Sequence, residues 1–179
     1  MMLSLARESI LHGLDTGSPL KVSPKDYPPA LQADRACFVT LTQAGALRGC
    51  IGHLEPVQPL VTDVAENAYA AAFRDPRFPS LQRDELDEIR IEISVLGEPG
   101  AIGFSSEEDL VAQIRPGMDG LILEAPTGHR GTFLPTVWDS LPERQDFLTH
   151  LKLKAGLPPD YWDDGVKVSR YTTEAFEEA

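Results

Sequence analysis

Arg35-Ala36-Cys37-Phe38-Val39-Thr40-Leu41-Thr42-Gln43-Ala44-Gly45-Ala46-Leu47-Arg48-Gly49-Cys50-Ile51-Gly52 is the stretch that decides the fold. Apolar and β-branched residues flank the turn signal Gln43-Ala44-Gly45-Ala46. That pattern predicts a β-hairpin over 35–42 and 46–52. With Gln43 opposite Ala46, Phe38 and Thr40 share a face with Leu47 and Ile51, whereas Cys37, Val39 and Leu41 share the other with Arg48 and Cys50. A loop one residue longer reverses this partnership. Both faces carry apolar residues, so cover is expected on both sides.

Upstream, residues 4–14 have Leu5, Ser9 or Ile10, and Leu14 near helical spacing, closed by Gly13 and Gly17. The loop over 18–29 holds Pro19, Pro24, Pro28 and Pro29, which argue for extended backbone and against helix. Downstream, Pro59 opens a helix to about Arg74, with Leu60, Val64, Ala68 and Ala71 or Ala72 inward, and Asp75-Pro76 stops it. Residues 89–96 alternate with period two and predict a strand. Ser105-Ser106-Glu107-Glu108 resembles a capping box for a short helix to about Ile114. Strands are predicted over 120–124 and 129–133, a helix from Pro142 to the Gly156 cap, and a final strand over 166–171. Helices and strands interleave but a hairpin comes early, so the fold class is α+β, with a mixed or antiparallel sheet flanked by helices.

The chain has 179 residues, 42% hydrophobic and 25% charged, which suits one compact domain, with or without a smaller lobe. The formal net charge of −12 argues against nucleic acid and against an anionic membrane surface as partner. The first residues place charges where a signal peptide needs its apolar run, and no stretch approaches the roughly 18 apolar residues of a membrane span. Two cysteines are too few for a disulfide framework. A cytoplasmic location with reduced thiols is expected.

Chemistry concentrates at Leu47-Arg48-Gly49-Cys50-Ile51-Gly52, followed by His53. A thiol lies between two glycines, which let a ligand or backbone approach, and a cation near a thiol favours the thiolate. Cys50 reads either as a nucleophile activated by Arg48 or His53, or as a small buried hydrophobe of a strand. A Cys50–His53 dyad requires the strand to end near Gly52, because residues 50 and 53 of a regular strand point to opposite faces. In the hairpin register Cys37 lies diagonally from Cys50 on one face, a poor geometry for a disulfide. Asp75 sits where a helix C-terminus disfavours negative charge, so Arg74 or Arg77 should compensate it. Asp75 and Arg77 read either as a charged turn or as the lining of a cleft beside Cys50. Arg130, flanked by Gly128 and Gly131, could hold an anionic ligand, or the segment is a hairpin turn anchored by Phe133 and Trp138. Cys50 and His53 have metal-ligand character but lack a second pair, so no metal site is expected. Phosphate loops are absent and no cofactor is implied.

These segments in this order resemble the AMMECR family. The resemblance rests on Leu47-Arg48-Gly49-Cys50-Ile51-Gly52, on Asn67-Ala68 through Ala71-Ala72-Phe73-Arg74-Asp75-Pro76-Arg77-Phe78, and on Ile91-Glu92-Ile93-Ser94-Val95-Leu96. It continues through Gly120-Leu121-Ile122-Leu123, Thr132-Phe133-Leu134-Pro135-Thr136-Val137-Trp138 and Lys154-Ala155-Gly156-Leu157, covering roughly residues 5–171. It implies a single domain over 5–171, with a larger lobe from both chain ends, a smaller inserted lobe, and the signature in a cleft between them. It also implies the bacterial branch called AmmeMemoRadiSam system protein A, whose genes often neighbour those for Memo-like and radical-SAM proteins. No reaction follows from it.

Two functions follow as expectations. One is a protein binding a small molecule or modified peptide, with thiol-dependent chemistry. There Cys50 is the nucleophile or contact, Arg48 lowers its pKa or clamps an anionic group, Gly49 lies in the binding cleft, Asp75, Arg77 and Arg130 orient the ligand, and His53 is a candidate base. The other is a non-catalytic adaptor for Memo-like and radical-SAM partners, which needs an exposed apolar patch at Trp138 and Trp162.

Overall fold

The computed structural model describes residues 1–178 and separates into two compact units. Met1–Leu96 and the C-terminal residues from Glu174 make one, and Gly97–Thr173 the other. The first contains α1 (Met2–Thr16), α2 (Pro29–Gln32), β1 (Cys37–Gln43), β2 (Ala46–Gly52), α3 (Leu60–Phe73) and β3 (Ile89–Leu96). The second contains β4 (Gly100–Ala101), α4 (Glu107–Gln113), β5 (Gly120–Glu124), β6 (Arg130–Phe133), α5 (Arg144–Lys154) and β7 (Lys167–Tyr171). The chain closes with β8 (Thr173–Glu177), which joins the first sheet. The two antiparallel sheets have the orders β2-β1-β3-β8 and β4-β7-β5-β6, so the fold is α+β as expected.

In the first sheet, period-two alternation does the sorting. Cys37, Val39 and Leu41 of β1 and Ile89, Ile91, Ile93 and Val95 of β3 are buried on one face. α1 and α3 supply the matching apolar surface, with Leu5, Ala6, Ile10, Leu60, Val61, Val64, Ala65, Ala68, Ala71 and Ala72 in the same core. The run of small residues in α3 lets the helix lie close on the sheet. Two prolines do not act as expected: Pro24 starts a single 3-10 turn and Pro29 starts α2. A proline lacks the N–H that the first helical position leaves unused, so it can open such a turn. β4 and β8 were not foreseen, because β4 has only two residues and β8 exposes most of its side chains.

The hairpin turn forms as expected, with Gln43 opposite Ala46 and Thr42 opposite Leu47. Beyond it the register slips: Leu41 faces Gly49, Thr40 faces Cys50 and Val39 faces Ile51. Arg48 is the extra residue of a β-bulge. The bulge moves Cys50 to the face of Thr40 and Ile51 to the core face, which reverses the expected partnership for both. Cys37 and Cys50 therefore lie on opposite faces, and both are free thiols.

Ala44 and Gly45 both have positive φ, 50° and 80°, the signature of a type I′ turn. An L-residue with a Cβ is disfavoured there. Ala44→Asn is expected to stabilise the protein by about 0.5–1 kcal/mol. A higher urea midpoint at unchanged slope would show it.

Candidate functional site

β2 is tied to α3 and to the segment after it by buried charged side chains, and these ties set the position of Cys50. Asp75 follows the C-terminus of α3, and its side chain is 2% exposed. Its carboxylate accepts the backbone N–H of Cys50 at 2.9 Å. It also accepts the Arg77 N–H at 3.1 Å, Nε at 3.0 Å and Nη2 at 2.7 Å. Arg77 Nη2 in turn donates to the Cys50 carbonyl at 3.3 Å. Thus the backbone of Cys50 is held on both its N–H and C=O sides by one ion pair. The Arg77 hydrogen bond, opposed by burial and helped by the Cys50 N–H, holds the Asp75 carboxyl well below the usual carboxylate range. Arg77 is pushed up, first by Asp75 and further by Cys50. Arg77, rather than Arg74, compensates Asp75, and Arg74 lies over the Tyr69 ring at 5.0 Å.

Cys50 is half-buried, and its thiol accepts the Thr40 hydroxyl at 3.3 Å. Arg77, with 54% of its side chain exposed, stands beside the same residue. The structure therefore joins Cys50, Asp75 and Arg77, and adds Thr40, which the sequence reading left out because its register was wrong by one residue.

Arg48 and Gly49 serve this arrangement from behind. Arg48, 10% exposed, forms a forked pair with Glu85 through Nε at 2.8 Å and Nη2 at 3.0 Å. That bond, against burial, keeps the Glu85 carboxyl low. Arg48 Nη1 is buried with no hydrogen-bond partner among the described residues. A Cβ on Gly49 would lie 2.1 Å from the Ala71 carbonyl oxygen of α3. One on Gly52 would lie 2.4 Å from the Cys37 carbonyl oxygen. Both glycines flanking the thiol thus serve close backbone packing.

His53 belongs to a second cluster. β2 ends at Gly52, as a dyad with Cys50 requires, and the His53 N–H donates to the Cys37 carbonyl at 3.1 Å. Its Nδ1, however, lies 2.5 Å from Asp63 Oδ1 in the first turn of α3. A carboxylate accepts, so Nδ1 donates and Nε2 points away from the pair. Asp63 is 1% exposed and also accepts from the Cys37 N–H, Gln58 and Asn67. Burial first, and then Asp63, pushes the Cys37 thiol far above its ordinary value. No hydrogen bond joins His53 to Cys50 among the described residues. Asp63 carried a legible signal, an acid in the first turn of a helix, but its partner lies ten residues upstream.

Arg130 begins β6 in the second unit, where it pairs with Glu124 at 3.1 Å. The tryptophans offered as an adaptor patch are in packing contacts instead. Trp138 is 4% exposed, stacks on Phe147 at 3.8 Å between centroids, and donates to the Asp119 carbonyl. Trp162 is half-buried against Phe104, with Lys152 over its ring. Bulk that the sequence leaves free to face solvent is used here to close the second unit's core.

Among the described residues no helix is long and apolar enough to cross a membrane. The family model for AMMECR1 matches residues 3–176. A protein of Methanothermobacter thermautotrophicus is 40% identical, over 99% of this chain and 92% of its own. Protein MJ0810 of Methanocaldococcus jannaschii is 41% identical, over 88% and 80%. The crystal structure of the uncharacterized protein PH0010 from Pyrococcus horikoshii superposes with a TM-score of 0.90 at 40% identity, covering 99% of this chain and 89% of that one.

Proposed function

This chain belongs to the AMMECR1 family, and we propose that it binds a small molecule or a modified peptide on the sheet face that carries Cys50, with the thiol as contact or nucleophile. The observation that carries this reading is the setting of Cys50. The residue is half-buried with its thiol on the Thr40 hydroxyl, and its backbone is fixed by the Asp75–Arg77 pair. A nucleophilic thiol works when donors and cations stabilise sulfur as it gains negative charge, and Thr40 and Arg77 are a donor and a cation. The backbone clamp gives the pre-organisation that binding at a fixed geometry needs. In this reading Arg48 and Gly49 are supports, through Glu85 and Ala71, and His53 is held by Asp63 outside the contact.

The test is a panel of amino acids, short peptides and small carbonyl compounds titrated into labelled protein and followed by amide NMR shifts. Compounds that bind are expected to move Thr40, Cys50 and Arg77 together, and Arg77→Ala is expected to weaken them at least tenfold. Shifts confined to other surfaces, with affinities unchanged in Cys50→Ser and Arg77→Ala, would count against the reading.

A further inference from the structure

The face that carries Cys50 also holds a carboxylate that the sequence reading did not assign. Thr40 of β1 faces Cys50 on β2 and Glu92 on β3. Residues directly opposite on antiparallel strands share a face. Thiol, hydroxyl and carboxylate therefore stand in one rung across three strands, and the Thr40–Cys50 hydrogen bond confirms its first half. Strands lie about 4.8 Å apart, so the backbones of Cys50 and Glu92 are separated by roughly 10 Å, within reach of one small ligand.

Glu92 is half-buried, and its carboxylate accepts from Ser94, itself 3% exposed, at 3.2 Å. No cation lies within ion-pair distance of it among the described residues. Arg90, two residues back on the same face, lines a cavity with Glu177 and Glu178. At the other end of the rung, Asp75 already neutralises Arg77. Of the charges beside Cys50, the Arg77 cation is thus balanced by Asp75, and the Glu92 carboxylate is without an ion-pair partner among the described residues. A half-buried carboxylate without a cation is a site that a positive group of a ligand can fill.

We propose that Glu92 makes this face selective for ligands that carry a protonated amine about one strand spacing or two from the group that meets Cys50. Amino acids, peptide N-termini and polyamine-like compounds belong to this class, and simple anions do not. The inference rests on the proposed binding role of Cys50.

The test uses two methanethiosulfonates of similar size, the cationic 2-aminoethyl and the anionic 2-sulfonatoethyl reagents. Each is attacked by the thiolate, forming a disulfide and releasing methanesulfinate, with the thiol proton lost to solvent. Second-order rates at Cys50 of the full chain are divided by rates on free 2-mercaptoethanol. The cationic reagent is expected to be favoured, and Glu92→Gln to cut that preference about fivefold at low salt, as a charge at this range acts with little screening. Glu92→Asp keeps the charge and should keep the preference, as should Glu8→Gln on α1. An unchanged preference in a folded Glu92→Gln protein, or a wild type that favours the anionic reagent, overturns the inference while leaving a reactive Cys50 intact. A Cys50 inert to both reagents overturns the inference and the binding role together.

Discussion

Gly49→Ala is expected to destabilise the protein by about 3 kcal/mol, the upper end of overpacking costs, and to lower its melting temperature by roughly 6–12 °C. The added methyl meets the Ala71 carbonyl oxygen at 2.1 Å. That atom is helix backbone and cannot rotate aside, so α3 or β2 must move as a body. Neither is free to do so. α3 is packed along its small-residue face, and β2 is pinned at Cys50 by Asp75 and past its end by Asp63. The same strain should shift Cys50 relative to Thr40, so thiol reactivity should change alongside stability. Thermal unfolding followed by circular dichroism measures the first effect, and a melting temperature within 2 °C of wild type would contradict the packing described at this strand.

Asp75→Ala is expected to cost about 2–3 kcal/mol, because the buried Cys50 N–H is left without its acceptor while Arg77, with 54% of its side chain exposed, can turn to water. The loss is larger than a charge pair alone, because the Cys50 N–H and the Arg77 fork lose their acceptor together. The effect depends on pH with a definite sign. The folded carboxyl titrates below its unfolded value, so its contribution is fully present above the unfolded value near 4. It is lost as pH falls through the folded value. Glu85, held low by Arg48, acts in the same direction. Urea unfolding of wild type and Asp75→Ala at pH 7 and pH 3 should show a stability difference that narrows at the lower pH. A difference that widens on acidification would mean that the carboxylate is not the stabilising form.

How far the sequence could be read depended on the range of the interactions. The alternation of β3, the apolar stripe of α3 and the cap at Gly156 are local patterns, and each formed where expected. The hairpin turn was also local, and Gln43 meets Ala46. What failed was one residue of register. Arg48 bulges because its guanidinium finds Glu85, 37 residues away, while Gly49 must meet Ala71. No turn signal encodes that choice, yet it decides which side of the sheet Cys50 occupies. Asp75 and Arg77 were legible as a pair because they are two residues apart. Thr40 and Asp63 were not, since each gains its role only through a partner on another strand or element. The two tryptophans show the converse problem: their size marks them as anchors, but nothing local tells a core anchor from a docking one.

The most direct measurement is native-state alkylation with iodoacetamide, mapped by peptide mass spectrometry, with Cys50→Ser as control. Cys50 is half-buried on the Thr40 face, whereas Cys37 is fully buried with its thiol pushed far up. Labelling at Cys50 in the folded protein, absent from Cys37 until denaturant is added, is the expected result, with slower labelling once a bound ligand covers the face. A Cys50 that labels no faster than Cys37 in the native protein would contradict a binding role for this thiol.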